Sequence, residues 1–224
     1  TFLNNNTMNK RYLHLLFLAP IIIGTSCSSY NSSIKRANQQ LELYNFKDAA
    51  YEFSQAWEKK EDNETARGLA YSNYKMRDFG KAAAWYSYLA DKDELSAEDS
   101  YRYSESLIAN SKFDESAKVL DNMILKNGEI SKDEKWMMLR KSAGEAKAIL
   151  NTPTKFQVKP LKSLNTSFSE FGLTIDEGVI FFSSDRISDK KAGVVMTDNL
   201  KNQRYGWTGN GFLTVYEANL NKTN

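Results

Sequence analysis

Apolar residues recur along the middle of the chain at the spacing of amphipathic helices. Three segments share one pattern, in which an aromatic residue is followed by apolar or small residues three, four, seven and ten positions later. The aromatic residues are Phe46, Phe79 and Phe113, so the pattern advances by 33 and then by 34 residues. A small residue stands nine positions before each aromatic residue, and these are Ala37, Ala70 and Ser104. The pattern predicts pairs of helices repeated at a fixed period.

A further helix is predicted after the third repeat. Ser131–Glu134 has the Ser-x-x-Glu spacing of a capping box at a helix start. Lys135–Leu150 then places Trp136, Leu139, Ala143 and Ala146 on one stripe. We interpret this segment as a seventh helix that caps the repeats, because stacked repeats need a terminal element with a polar outer face. The alternative is an ordinary antiparallel helical bundle, which needs no fixed period.

The helical period ends at residues 151–153, Asn-Thr-Pro, and short apolar segments follow. They predict strands at Val158, Leu173–Ile175, Val179–Ser183, Gly193–Met196 and Leu213–Ala218. The segment Asp176–Gly178 predicts a hairpin turn in which the glycine supplies positive φ. The predicted fold class is therefore α then β, with helical repeats over residues 27–150 and antiparallel β structure over 151–224.

Residues 1–26 have the layout of a secretory signal peptide, with Met8 as the more convincing start and residues 1–7 upstream of it. Lys10 and Arg11 precede an apolar run of about a dozen residues, whereas a spanning helix needs ~20. The run ends in Gly24-Thr-Ser-Cys27, which resembles the lipobox of bacterial lipoproteins. The resemblance implies that Cys27 carries lipid and becomes the first mature residue. The alternative is an ordinary signal peptide followed by an incidental cysteine.

Charge and residue usage exclude several function classes. The chain has 30 basic and 28 acidic residues, and loss of Lys10 and Arg11 with the leader would balance them. A neutral chain lacks the electrostatic footprint of a nucleic-acid-binding protein. Its one histidine, His14, lies in the leader, and lipid would block Cys27. Histidine-based catalysis then has no parts in the mature chain, so we expect no enzyme, cofactor or metal.

The repeats resemble tetratricopeptide repeats in length, in their two-helix unit and in the small residues of each helix. The usual tryptophan and terminal proline are missing from all three copies. The resemblance implies that the first helix of each repeat lines a concave groove that binds protein partners. The matching groove positions are Asn38, Leu41, Glu42, Arg67, Tyr71, Tyr74, Lys75, Tyr101, Glu105 and Ile108. Tyrosine and arginine dominate binding hot spots. The alternative is that the tyrosines only pack between helices.

The β region resembles the blade repeat of TolB-like β-propellers over about 60 residues. The resemblance rests on Asn165–Gly172, on Asp176–Arg186 with its Phe-Ser-Ser-x-Arg ending, and on Trp207–Ala218. It implies that Asp185 and Arg186 end a strand and tie it to a neighbouring turn. A propeller needs at least four blades of four strands. We therefore expect a first blade of a truncated propeller, with exposed strand edges.

A lipobox, tetratricopeptide-like repeats and a TolB-like blade, in that order, resemble outer-membrane lipoproteins of the OmpA family in gliding bacteria. Some of these, the PorE type, accompany type IX secretion. The resemblance implies a non-enzymatic periplasmic scaffold that is lipid-anchored at the outer membrane and binds protein partners. It also implies a link to peptidoglycan through a missing C-terminal domain. The alternatives are a propeller-gated hydrolase whose catalytic domain is missing, and a glycan-capture lipoprotein.

Overall fold

The computed structural model describes residues 29–152, 155–186 and 204–219. Over these residues seven α-helices are followed by a three-stranded antiparallel sheet, which confirms the predicted order of a helical region and then a sheet. The helices are α1 over residues 29–42, α2 Phe46–Trp57, α3 Asn63–Lys75, α4 Phe79–Ala90, α5 Ala97–Ala109, α6 Phe113–Lys126 and α7 Glu134–Leu150. The strands are β1 Glu170–Asp176, β2 Val179–Ser184 and β3 Thr214–Asn219. Cys27 and the predicted leader lie outside the described residues.

The helices form three hairpins, α1–α2, α3–α4 and α5–α6, whose buried residues repeat with the period seen in the sequence. We call α1, α3 and α5 the A helices, and α2, α4 and α6 the B helices. The small residues Ala37, Ala70 and Ser104 of the A helices are fully buried. Their counterparts on the B helices are buried as well, namely Ala49, Phe53, Ala82, Tyr86, Ser116 and Leu120. Burying each large apolar side chain contributes about 2 kcal/mol.

One turn geometry joins the two helices of every hairpin. Tyr44, Arg77 and Ser111 have φ of 57°, 62° and 60°, the left-handed conformation of a Schellman helix end. In each turn the next amide donates to the carbonyl five residues back, in the pairs Asn45–Gln40, Asp78–Asn73 and Lys112–Leu107, at 2.8–2.9 Å. The period of 33 and 34 residues is therefore a property of the backbone as well as of the side chains.

Helices pack mainly against their neighbours along the chain. Each of α2–α6 contacts the next helix, and α5 also contacts α3 and α7. A short turn between two packed helices makes them antiparallel. Consecutive A helices are therefore brought onto one side of the helical region.

The final helix begins differently from the prediction. A 3₁₀ helix over Gly128–Lys132 precedes α7, and the Ser131 hydroxyl donates to the Gly128 carbonyl at 2.6 Å. Asp133 caps α7 by accepting from the Lys135 amide at 2.9 Å. The predicted capping box at Ser131 is therefore wrong, because Ser131 satisfies a turn within the 3₁₀ helix. The predicted stripe is confirmed, since Trp136 packs in a core cluster with Leu120 and Ile130 and Ala143 is buried.

Residues 155–169 form coil and turns, so the strand predicted at Val158 is wrong. Val158 is 95% exposed and stands between the polar side chains of Gln157 and Lys159. A lone apolar position gives a strand no face to bury, and Pro160 lacks the amide that a ladder would use. The strand predicted over 193–196 lies outside the described residues.

The sheet has the order β1–β2–β3, with both pairings antiparallel. Ile180 and Phe182 of the central strand are buried against Leu164, with Tyr216 and Ala218 packed beside them. The Asp176–Val179 hairpin turns at Glu177 and Gly178, whose φ values are 44° and 82°. The predicted turn is confirmed, and both central residues have the positive φ of a type I′ turn. The prediction of exposed edges is also confirmed at β1, where Phe171, Leu173 and Ile175 are about half exposed.

The Asp185–Arg186 pair fastens the end of β2 to two neighbouring segments. The carboxylate of Asp185 accepts from the Ser169 amide and from the Asn210 side chain, each at 2.8 Å. The guanidinium of Arg186 donates to the Leu164 carbonyl and to Glu170, each at 3.0 Å. These contacts confirm that the pair ties a strand end to a turn.

Gly68 provides a test of the helical packing. A methyl group at Gly68 on α3 would overlap the Phe53 ring, whereas the Cβ position of Gly144 on α7 is open. We therefore expect Gly68→Ala to lower the free energy of unfolding by about 1–3 kcal/mol. Gly144→Ala, the control, should raise it by about 1 kcal/mol through helix propensity. Urea unfolding followed by circular dichroism measures both, and equal stability of the two variants would contradict this packing.

The pH dependence of the sheet provides a second test. Hydrogen bonds from Thr166, Ser184 and Arg186 lower the pKa of Glu170 from 4.5 to about 2. Between these values the unfolded chain binds the proton more readily, so stability is lost as the pH falls from about 4.5 to 2. We expect Glu170→Gln to flatten this loss and the exposed Glu217→Gln to preserve it. Amide exchange at Phe182, corrected for intrinsic rates, measures it, and identical pH profiles for both variants would contradict the assignment.

Candidate functional site

The predicted groove residues fall into two groups in the structure. Asn38, Arg67 and Tyr71 line one open cavity of about 320 Å³, on the side of the helical region formed by the A helices. We call it the A-helix cavity, and it is lined by Asn38, Leu41, Phe53, Glu64, Arg67, Gly68, Tyr71, Asp99 and Arg102. The other predicted residues, Tyr74, Tyr101 and Glu105, contact neighbouring helices outside the lining of this cavity.

Arg67 spans two A helices at the rim of the cavity. Its Nε atom donates to Asp99 on α5 at 2.8 Å, and its Nη2 atom donates to the Glu94 carbonyl at 2.7 Å. Asp99 is almost fully buried, so Arg67 neutralises a carboxylate that would otherwise be costly to desolvate. The guanidinium remains 39% exposed. It can therefore hold the helices together and still contact a partner.

Tyr74 and Glu105 form a second link between α3 and α5. The Tyr74 hydroxyl donates to the Glu105 carboxylate at 2.6 Å. Burial raises the pKa of Tyr74, and the adjacent Glu105 charge raises it further. The phenol therefore stays protonated as a donor at physiological pH, and the pair serves mainly to align the two helices.

Tyr71 combines packing with exposure to the cavity. Its ring meets Phe46 edge to face at a centroid distance of 6.0 Å. The Arg102 guanidinium lies 4.7 Å from its centroid and the Lys75 ammonium 5.4 Å. Cations over an aromatic face stabilise its position. The ring thus forms a fixed wall of the A-helix cavity.

Tyr101 and Asn38 lie at opposite ends of the predicted set. Tyr101 packs edge to face on Trp136 of α7 at 5.4 Å, with the Lys135 ammonium 3.9 Å from its centroid. The structure therefore separates Tyr101 from the A-helix cavity. Asn38 is exposed at the other end of the set and is free to contact a partner.

A polar link also joins α1 to the second hairpin. The Tyr30 hydroxyl donates to Asp62, the N-cap residue of α3, at 2.6 Å. Burial alone would raise the pKa of Asp62, but hydrogen bonds from Tyr30, Thr65 and Lys60 lower it to about 2. This link spans 32 residues, like Arg67–Asp99, so the A helices are held together by polar contacts at nearly the repeat period.

Sequence reasoning missed Arg102 and Asp99. Period counting matched Arg67 to Tyr101, whereas the α5 residues beside the cavity lie one position later and two positions earlier. The available signal was the Glu98–Arg102 spacing on α5, an ion pair at 2.9 Å in the structure. An arginine paired to its own helix is positioned to face outwards along that helix.

A contact between the helical and β regions was also missed. The Trp207 indole N–H donates to the Lys75 carbonyl at the end of α3, at 2.5 Å. The indole stacks on Tyr44 at 6.1 Å and meets Phe46 edge to face at 4.8 Å. The sequence predicted Trp207 as the lead-in to a strand, but β3 begins at Thr214. The indole binds the first helical hairpin because that turn offers aromatic faces and an open helix-end carbonyl.

The loop around Trp207 closely approaches the start of α2. The Lys47 amide donates to the Gly206 carbonyl at 3.4 Å. A side chain at Gly206 would overlap Asn45, and one at Gly209 would crowd Lys47. Glycine is therefore required at both positions for the two backbones to approach each other.

Two further searches concern the described part of the chain. Within residues 29–152, 155–186 and 204–219, no group of three or more histidine, cysteine, aspartate or glutamate residues is arranged to hold a metal ion. Over the same ranges no helix has both the length and the apolar character needed to cross a membrane.

Comparison with known proteins yields no relatives. No protein-family model matches the chain, and no curated protein or solved structure matches it.

Proposed function

We propose that this chain is a non-enzymatic adaptor that binds protein partners through the A-helix cavity. In this proposal the lipid on Cys27 holds it at the outer membrane on the periplasmic side. The proposal combines the lipobox resemblance with a surface that has binding geometry. It assigns no catalytic residue and no cofactor.

We further propose that the three hairpins form a tetratricopeptide-like solenoid capped by α7. The repeated left-handed turns and the fully buried small residues at Ala37, Ala70 and Ser104 support it. Contacts between neighbouring hairpins support it too, because in a solenoid each repeat packs on the next. A solenoid presents its A helices as one extended binding surface.

We assign the three strands to the first blade of a TolB-like propeller. Support comes from the antiparallel order β1–β2–β3 and from the Asp185–Arg186 contacts at the strand end. The proposed links to peptidoglycan and to type IX secretion rest on the family resemblance and on no residue of this chain. They extend the adaptor role to a scaffold in the cell envelope.

The observation that carries the proposal is the composition of the A-helix cavity. Arg67, Tyr71 and Arg102 surround it, and these residue types dominate binding hot spots. Contacts with neighbouring helices hold all three side chains, so binding costs little side-chain entropy. Asn38 and Glu64 are exposed at its edge and supply polar contacts.

Site-specific photo-crosslinking in the native cell envelope tests the adaptor role. A photoreactive residue at Asn38 is expected to give a discrete crosslinked protein, because this position faces the cavity. The same residue at Asn122, exposed on a B helix, is the matched control and should not give it. With Cys27→Ala, the crosslinked species should leave the outer-membrane fraction. The proposal is wrong if Asn38 yields no species or the same ones as Asn122.

A further inference from the structure

A second cavity, of about 620 Å³, lies where the helical and β regions meet, and we call it the inter-region cleft. One wall comes from the turns and helix starts of the first two hairpins. The opposite wall comes from the β region and includes Ser169, Asp185, Trp207 and Asn210. It shares no lining residue with the A-helix cavity. Clefts between structural units are frequent ligand sites.

The helical wall of the cleft carries four cationic side chains, those of Lys47, Lys75, Arg77 and Lys81. Lys81 pairs with Asp78 at 2.6 Å. The other three form no ion pair with any carboxylate of the described residues. Lys75 instead lies over three aromatic rings, at 5.4–5.9 Å, and Arg77 lies 6.0 Å from the Phe79 ring.

Two carboxylates line the cleft, and both are engaged. Asp78 caps α4 and binds Lys81, and Asp185 accepts from Ser169 and Asn210. Four cations against two carboxylates leave an excess of two positive charges at one concave surface. The whole chain, by contrast, has 30 basic and 28 acidic residues, so this concentration is local.

The backbone adds to the positive character of the cleft. The helix α2 begins beside it, and the N-cap residue Asn45 makes no side-chain capping hydrogen bond. The first-turn amides of a helix carry partial positive charge and favour anions. Asn210 and Trp207 stand opposite, so an anion would be enclosed by both regions.

We propose that the inter-region cleft binds a small anion with at least two negative charges, carried by phosphate or carboxylate groups. Lys47 and Arg77 hold its charges, and Lys75 sets the field from its aromatic seat beside Trp207. Like charges in one concavity repel, and a multivalent counter-charge removes that repulsion. The ligand contacts both regions, so it binds most tightly when they are docked through Trp207.

Indole NMR of the full chain in a non-ionic detergent tests this site. With ¹⁵N-labelled tryptophan, four indole signals report on the cleft residues Trp85 and Trp207 and on the remote Trp57 and Trp136. Titration with pyrophosphate, and separately with citrate, at constant ionic strength should shift Trp207 saturably and leave Trp136 unchanged. Response to pyrophosphate alone identifies phosphate chemistry, and response to citrate alone identifies carboxylate chemistry.

Paired variants separate a site from general charge attraction. We expect Lys47→Gln with Arg77→Gln to raise the dissociation constant about tenfold or more, because two of the charges that bind the ligand are removed. Lys118→Gln, on the exposed side of α6, should leave it within about twofold. Sodium chloride at matched ionic strength is the control on the wild-type chain, which needs no variant to fold. Shifts that chloride reproduces, or that survive the double variant, overturn the proposal.

Discussion

A left-handed residue between paired helices is the constraint on which the helical region depends. Tyr44, Arg77 and Ser111 each reverse the chain after an A helix and point the following aromatic residue into the core. None is glycine, so each turn retains this conformation at a cost of roughly 1 kcal/mol. Packing of Phe53 and Tyr86 offsets that cost, since both rings are almost fully buried.

Identical turns place the two candidate sites on different parts of the same hairpins. The A helices lie side by side, where Tyr30–Asp62, Arg67–Asp99 and Tyr74–Glu105 connect them and shape the A-helix cavity. The turns themselves lie at one end of the helices, where Trp207 docks and the inter-region cleft opens. Partner binding and anion binding therefore use separate surfaces that share one scaffold.

The repeat was predictable because small and aromatic residues recur at fixed intervals, as at Ala70 and Phe79. The sheet was predictable where a strand alternates around a glycine turn, as at Gly178. Other features depend on contacts between segments far apart in sequence. Trp207 meets Lys75 across 132 residues, and no local pattern records that contact. Asp99 entered the site because it faces Arg67 in space, although counting by the repeat had selected Tyr101.

The account's central claim is that consecutive A helices lie side by side in this register. A double-mutant cycle on Tyr74→Phe and Glu105→Gln measures it most directly, because the two side chains meet only if α3 and α5 are aligned. The hydrogen bond at 2.6 Å predicts a coupling of about 1 kcal/mol in the free energy of unfolding. Effects of the two substitutions that add within about 0.3 kcal/mol would contradict the register.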